Sequence, residues 1–294
     1  MSKEFNYSFI IPHKNCPDLL QRCVDSIPER DDVQVIVVDD NSEEGKKPSL
    51  KKRKNLQVIL LDAEHSKGAG RARNVGLKQA EGKWLLFADA DDYYNEGFLG
   101  ILDKYSSQEI DVLYYNFIYK DGKTEKEALP QFNIQKIIDR YNSTQEDIDN
   151  IKFKFKVPWN KMISHNYVIH YHFFFEEVPN GNDMFFSECV GYHADRIDVE
   201  KSPIYVYIKN ENSIVTSKRT LKDEMCRLEH RIKLNYFYEF IGHAEWKKPF
   251  LKDIFRNIHK FGFPFLKAII LTSVHIYMGR REWVKLIPLL NSRA

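Results

Sequence analysis

The chain has 294 residues, 43% hydrophobic and 29% charged, which excludes wholesale disorder and suits one large folded domain of about 200 residues with an appendage. Lysine and arginine number 44 against 42 aspartates and glutamates, so the formal net charge of +2 gives no argument for a nucleic-acid binder. The four cysteines (Cys16, Cys23, Cys189, Cys226) are too dispersed for a zinc site or a disulfide framework.

In chain order, residues 8–12 form a short apolar run closed by Pro12 and predict a buried strand. Leu19, Leu20, Cys23, Val24 and Ile27 then share one helical face, with Pro17 suited to its first turn. Residues 33–38 are continuous and β-branched, which predicts a strand covered on both faces, and 56–61 read the same way. Ala69, Ala72, Val75, Leu77 and Ala80 mark a helix that stops near Gly82. Residues 84–88 predict a fourth buried strand, 110–119 a fifth and 204–208 a late one, while 121–146 are polar and ambiguous. From Thr220 onward Leu221, Met225, Leu228 and Ile232 follow helical spacing. Alternating strands and helices predict an α/β fold with a doubly wound, mainly parallel sheet. The expected division is a domain over 1–215 and a helical, basic region over 216–294.

No secretory signal is read in the first residues, where the apolar run at 9–11 is stopped by Pro12. No apolar run reaches the roughly 18 residues of a spanning helix. The nearest, 261–278, contains Pro264, Lys267 and His275. A cytoplasmic location is expected. The segment 245–294 holds ten Lys or Arg and three Asp or Glu, and its cationic residues lie beside apolar ones (Phe250, Leu251, Ile254, Phe255, Ile258). That pattern suits either peripheral contact with the anionic inner face of the cell membrane or packing as a helical bundle.

In open α/β sheets ligands bind beyond the carboxyl ends of the strands, and here those ends are polar. Asp89-Ala90-Asp91-Asp92 puts three carboxylates at the tip of a buried strand. Like charges so close are costly unless neutralised, and hard oxygen ligands favour Mg²⁺ or Mn²⁺. The simpler alternative is an acidic turn capping a helix near Glu96. Gly68-Ala69-Gly70 opens a helix and, with Arg71 and Arg73, suits a diphosphate, although glycines before a helix are commonly only turn residues. It is no dinucleotide fingerprint, since Arg73 stands at the third glycine position. Trp159 and the aromatic residues at 171–175 suit a sugar acceptor platform or, more simply, core.

Four motifs together carry a resemblance. Ser8-Phe9-Ile10-Ile11-Pro12, Val37-Val38-Asp39-Asp40-Asn41-Ser42, Ala72-Arg73-Asn74-Val75-Gly76 and Phe87-Ala88-Asp89-Ala90-Asp91-Asp92 resemble, in order and spacing, the family 2 glycosyltransferases with the GT-A fold. The resemblance covers 5–118 well and continues thinly through Val157-Pro158-Trp159-Asn160-Lys161 and Asn182-Asp183-Met184. It implies a nucleotide-sugar donor, UDP-linked, and a glycan or lipid-linked glycan acceptor in surface polysaccharide synthesis. It implies that Asp40 and Pro12 hold the base, that Asp89 contacts the ribose or metal shell, and that Asp91, with Asp92 as neighbour or alternate, ligates Mn²⁺ or Mg²⁺. Asp183 stands at the position of the catalytic base, with Glu176 and Glu177 as substitutes, and the reaction implied is an inverting displacement.

Two positions depart from the family pattern. Lys14 stands where an aromatic residue often stacks on the base. Asn182 replaces an acid before Asp183, which removes a like charge and should lower the pKa of that base. Two other functions are consistent with parts of the sequence. Residues 85–91 also resemble the strand and Asp-x-Asp of haloacid-dehalogenase phosphatases, and Lys14 with Asn182 fit a nucleotide- or glycan-binding relative without catalysis.

Overall fold

The computed structural model describes residues 4–124, 126–128, 134–178, 180–209, 220–267 and 269–270. The chain divides into two compact units, one of residues 1–178 and 182–213, the other of 179–181 and 214–294. The boundary expected at 215/216 lies outside the described residues.

The first unit is built on one eight-stranded sheet. Its strands are β1 (Tyr7–His13), β2 (Val33–Asp39), β3 (Leu56–Leu60), β4 (Trp84–Phe87), β5 (Tyr93–Tyr94), β6 (Val112–Asp121), β7 (Lys161–Ser164) and β8 (Ile197–Lys209). The spatial order is β3-β2-β1-β4-β7-β6-β8-β5. The first four run parallel, β7 is antiparallel to β4 and to β6, β8 returns parallel to β6, and β5 is antiparallel to β8. β1 and β2 are buried along their whole length, as their unbroken apolar runs require. β3 corrects the expectation of a strand covered twice. It is the sheet edge, and Val58 and Leu60 are exposed. Pro12 sits beyond the last β1–β4 pair, Ile10 with Phe87, where its missing N–H interrupts no pairing with β4.

Helix α1 (Pro17–Asp25) has proline in its first turn and buries Leu20, Cys23 and Val24. Helix α2 (Ala69–Gln79) lies against β1. A Cβ at Gly76 would collide with Ile10, so the glycine sets how closely the helix approaches the strand. Beyond β4 come α3 (Phe98–Leu102), α4 (Ile134–Asp139), α5 (Gln145–Lys154), α6 (His165–His170) and α7 (Met184–His193). Within 121–146, ambiguous in sequence, lie α4 and the start of α5.

The second unit contains α8 (Leu221–Phe240) and α9 (Leu251–Phe261). Thr220 caps α8 through a reciprocal box with Asp223, the start its sequence pattern requires. Met225, Leu228 and Phe265 form a small core with Ile232, Ile254, Ile258 and Phe261 around it. Asp253 pairs with Arg231 and, at 2.7 Å, with Arg256. Among the described residues no helix is long and apolar enough to cross a membrane. Residues 271–278 of the longest apolar run lie outside the described residues.

Candidate active site

The carboxyl ends of β1, β2 and β4 and the starts of α2 and α7 supply the site. β1 and β2 end in a buried polar network. His13 Nδ1 lies 2.7 Å from Asp39 Oδ1, and the Cys16 amide donates to His13 Nε2 at 3.1 Å. Ser42 donates to Asp39 through both its amide and its hydroxyl. The sequence reading singled out none of this. The available signal was a histidine and an aspartate opposite each other at the ends of two apolar strands, which their register makes neighbours.

Asp40 follows β2 and is 3% exposed. Its carboxylate accepts from the amides of Lys67 and Gly68 at 3.1–3.2 Å and from Lys14 Nζ at 3.2 Å. Gly68 adopts φ +87°, a left-handed conformation that favours glycine. The Gly68 N–H is thus turned to a protein carboxylate. Gly70 is required by crowding: a Cβ there would clash with the Glu176 carbonyl oxygen.

Each of the three aspartates in the acidic tip after β4 is held by different partners. Asp89 pairs with Arg73 at 2.6 Å and keeps its side chain 34% exposed. The backbone carbonyl of Asp91 accepts from Arg22 at 2.7 Å. Asp92 is 1% exposed and accepts from the Tyr205 hydroxyl at 2.9 Å and the Ile208 amide at 2.7 Å. Burial, with Asp91 and Asp89 beside it, pushes the Asp92 pKa well above the usual carboxylate range. Asp92 is therefore a strut between the tip and β8. The capping alternative also fails, because α3 starts at Gly97 with no side-chain cap. The crowd of carboxylates is relieved in part by the protein itself, through Arg73 and Tyr205, so repulsion alone does not demand a cation.

Among the described residues no group of three or more His, Cys, Asp or Glu converges as a metal site. Asp89 and the half-buried Asp91 remain as oxygen donors. Two carboxylates suit a hard ion that keeps several waters and takes phosphate oxygens, and do not suit a protein-only cage.

Arg73 is 5% exposed and points inward. It donates to Asp89 at 2.6 Å and to Asn182 Oδ1 at 2.7 Å, with its guanidinium 5.4 Å from the Phe175 ring centre. It bridges the acidic tip and the start of α7. Arg71 likewise is engaged with Glu177 at 3.1 Å, and Lys67 reaches the same carboxylate at 3.5 Å. Asn74 exchanges two hydrogen bonds with the backbone of Phe175, at 2.8 and 2.9 Å. These contacts tie α2 to the loop before α7.

Asp183 stands at the N-cap position of α7, yet its side chain makes no capping hydrogen bond. Burial raises its pKa; Arg73 and Lys161 oppose that shift and Asp89 adds to it. The lowering expected from Asn182 is thus outweighed by desolvation. Asn182 itself accepts from Arg73. Trp159 is 6% exposed and stacks on Tyr205 at 5.0 Å, which leaves no open ring face for a sugar and corrects the platform expectation. Phe173 and Phe175 are core, while Phe174 is exposed.

Residues 8–171 match the profile of glycosyl transferase family 2. The chain belongs to that family. Poly(ribitol-phosphate) beta-N-acetylglucosaminyltransferase TarS of Staphylococcus aureus (strain Mu50) is 28% identical over 212 residues, 68% of this chain and 35% of that protein. UDP-Glc:alpha-D-GlcNAc-diphosphoundecaprenol beta-1,3-glucosyltransferase WfaP of Escherichia coli is 34% identical over 89 residues, 30% of this chain and 36% of that protein. The chain spans about a third of the length of these curated relatives. The crystal structure of S. aureus TarS 1–349 in complex with UDP-GlcNAc is similar with a TM-score of 0.59 at 23% identity, covering 79% of this chain and 67% of that one. That likeness is one of fold, the GT-A architecture. Family membership, with the acidic motif after the fourth strand, sets the phosphatase alternative aside.

One residue of the motif at 157–161 proves to be a fully buried lysine. Lys161 is 0% exposed, and its Nζ donates to the carbonyls of Phe155 (2.9 Å) and Val157 and to Asn160 Oδ1 (3.2 Å). Burial lowers its pKa from 10.5 to about 7, against the pull of Asp183 and Glu188. Between those values the unfolded chain holds a proton that the folded chain has released. The resulting stability is present above 10.5 and is lost as pH falls through about 7. Urea unfolding of the wild type and Lys161→Met should therefore show the wild type gaining on the variant as pH rises across that window. A difference that does not vary with pH would contradict the assignment.

Proposed function

We propose that this chain transfers a sugar from a UDP-sugar to a hydroxyl of a glycan or lipid-linked glycan, with inversion, in surface polysaccharide synthesis. The observation that carries the reading is the pairing of two acidic elements through one arginine: Asp89 at the tip after β4, and Asn182-Asp183 at the start of α7. One element suits the donor, the other the acceptor. The relatives' names add support. TarS is named as a beta-N-acetylglucosaminyltransferase and WfaP as a beta-glucosyltransferase on a diphosphoundecaprenol-linked sugar.

In this mechanism Asp183 takes the proton of the acceptor hydroxyl. The acceptor oxygen forms its bond to the anomeric carbon as the bond from that carbon to the diphosphate oxygen breaks. One base opposite one leaving group gives a single displacement. Arg73 orients both sides: it fixes Asp89 and, through Asn182, the residue next to the base. We assign a divalent cation, Mn²⁺ or Mg²⁺, to Asp91 with Asp89 beside it. When bound, it supplies charge stabilisation to the departing diphosphate.

Asp183→Asn should lower kcat by about 10²–10⁴-fold with little change in donor affinity, the usual worth of a general base. Since the Asp183 pKa is raised, the acid limb of the wild-type pH–rate profile should lie above that of an ordinary aspartate, with activity lost as pH falls through it. Unchanged turnover in the variant would remove Asp183 from the mechanism, and a wild type that binds UDP but turns over no donor would favour the non-catalytic relative.

Calorimetry with UDP tests the cation separately. Binding should need Mn²⁺ or Mg²⁺ and be lost in Asp91→Ala. Binding indifferent to chelation and to that substitution would remove the metal.

We also propose peripheral membrane contact through α9. Leu251 and Phe255 are exposed on one side of this helix, Lys252, Arg256 and Lys260 beside them, and Phe263 is exposed just after it. Apolar groups rimmed by cations fit an anionic lipid interface. Wild-type protein should sediment with vesicles containing phosphatidylglycerol and not with purely phosphatidylcholine vesicles, and Phe255→Ser with Phe263→Ser should remain in the supernatant. Equal sedimentation of the wild type and the double variant would argue for a partner-facing or self-packed helix.

A further inference from the structure

Lys14 stands where family members often stack an aromatic ring, and its backbone is pinned from both sides. On one side, His13 is buried and bonded to Asp39. On the other, Asn15 adopts φ +58°, uncommon for a residue with a side chain. The Asn15 amide donates to Ser42 Oγ at 2.8 Å, and Asn15 Oδ1 accepts from the Glu43 amide at 2.8 Å. Asn41, in the facing loop, also has positive φ, at +56°. These contacts stitch the loop after β1 to the loop after β2 and set Lys14 opposite Asp40.

Stability does not explain the pair. Lys14 is 53% exposed, and such ion pairs contribute little to folding. Asp40 already accepts from two backbone amides, Lys67 and Gly68. The lysine is the one flexible part of its cover. Moving that side chain uncovers an acceptor and places a cationic donor beside it.

We propose that Lys14 reads the nucleobase of the donor, giving a hydrogen bond to a carbonyl oxygen next to the ring N–H that Asp40 accepts. This rests on the nucleotide-sugar reading above and adds a residue that sets base specificity by hydrogen bonding where stacking is absent. The pair fits uracil, whose ring N–H is flanked by carbonyl oxygens. Cytosine presents a ring acceptor toward Asp40 and an amino group in place of the 4-oxygen, the carbonyl assigned to Lys14, so both contacts become repulsive.

Titration calorimetry of the full chain with UDP, CDP and GDP, in the presence of Mn²⁺, tests this. The wild type should prefer UDP. Lys14→Met should weaken UDP by about ten- to hundredfold, the worth of one charge-assisted hydrogen bond, and should not weaken CDP, whose contact with the lysine is repulsive. Lys14→Arg keeps a cationic donor and should retain most of the preference. The melting temperature of each ligand-free variant should stay close to that of the wild type, since the side chain is half exposed. Equal weakening of UDP and CDP would mean that the lysine acts on the diphosphate, and no weakening would mean that it acts on nothing bound; either overturns the proposal. Guanine also carries a ring N–H beside a carbonyl, and a preference for GDP would overturn the assignment to uracil. A wild type that binds no nucleoside diphosphate would overturn the donor reading itself, a different result from loss of base preference.

Discussion

The Arg73 guanidinium is the contact on which the site is assembled. It joins Asp89 to Asn182, two residues more than ninety positions apart, and it is 5% exposed while doing so. An arginine buried this far needs acceptors along its planar fork, and a carboxylate plus an amide oxygen supply them. Geometry at the acidic tip is thereby linked to geometry at the start of α7. The same arrangement keeps Asp183 near a cation without closing its carboxylate into a cap.

The charges around that contact are divided by burial. Asp92 is withdrawn into hydrogen bonds with Tyr205 and Ile208, and Asp89 is neutralised in part by Arg73. Lys161, enclosed by backbone carbonyls, lies within electrostatic reach of Asp183. Three neighbouring aspartates thus acquire three different environments. Desolvation separates their roles, because an ionised group keeps its charge in the interior only where partners are supplied.

Glycines complete the arrangement by permitting close approach. Gly70 lets Glu176 and Asn182 approach the start of α2 closely, and Gly68 adopts the left-handed conformation in which its amide meets Asp40. The polar network of His13, Asp39 and Ser42 fastens the neighbouring strand ends. Both families of contact are long-range in sequence, so neither has a local pattern that would announce it.

The alternation of apolar strands and amphipathic helices over the first ninety residues was legible in the chain, because side-chain periodicity follows directly from backbone geometry. The two-residue β5 and the short β7 were not legible, since so few residues carry no period, and β3 was misjudged because an apolar run does not say whether it lies at a sheet centre or edge. The four motifs placed Asp40, Asp89 and Asp91 at the ends of elements, their thin continuation placed Asp183, and together they carried the family. Which of these carboxylates faces outward, which becomes a strut, and whether Arg73 meets a ligand or a side chain were decided only by tertiary structure. Those outcomes depend on desolvation and on partners brought from distant segments, and both exist only once the chain has folded.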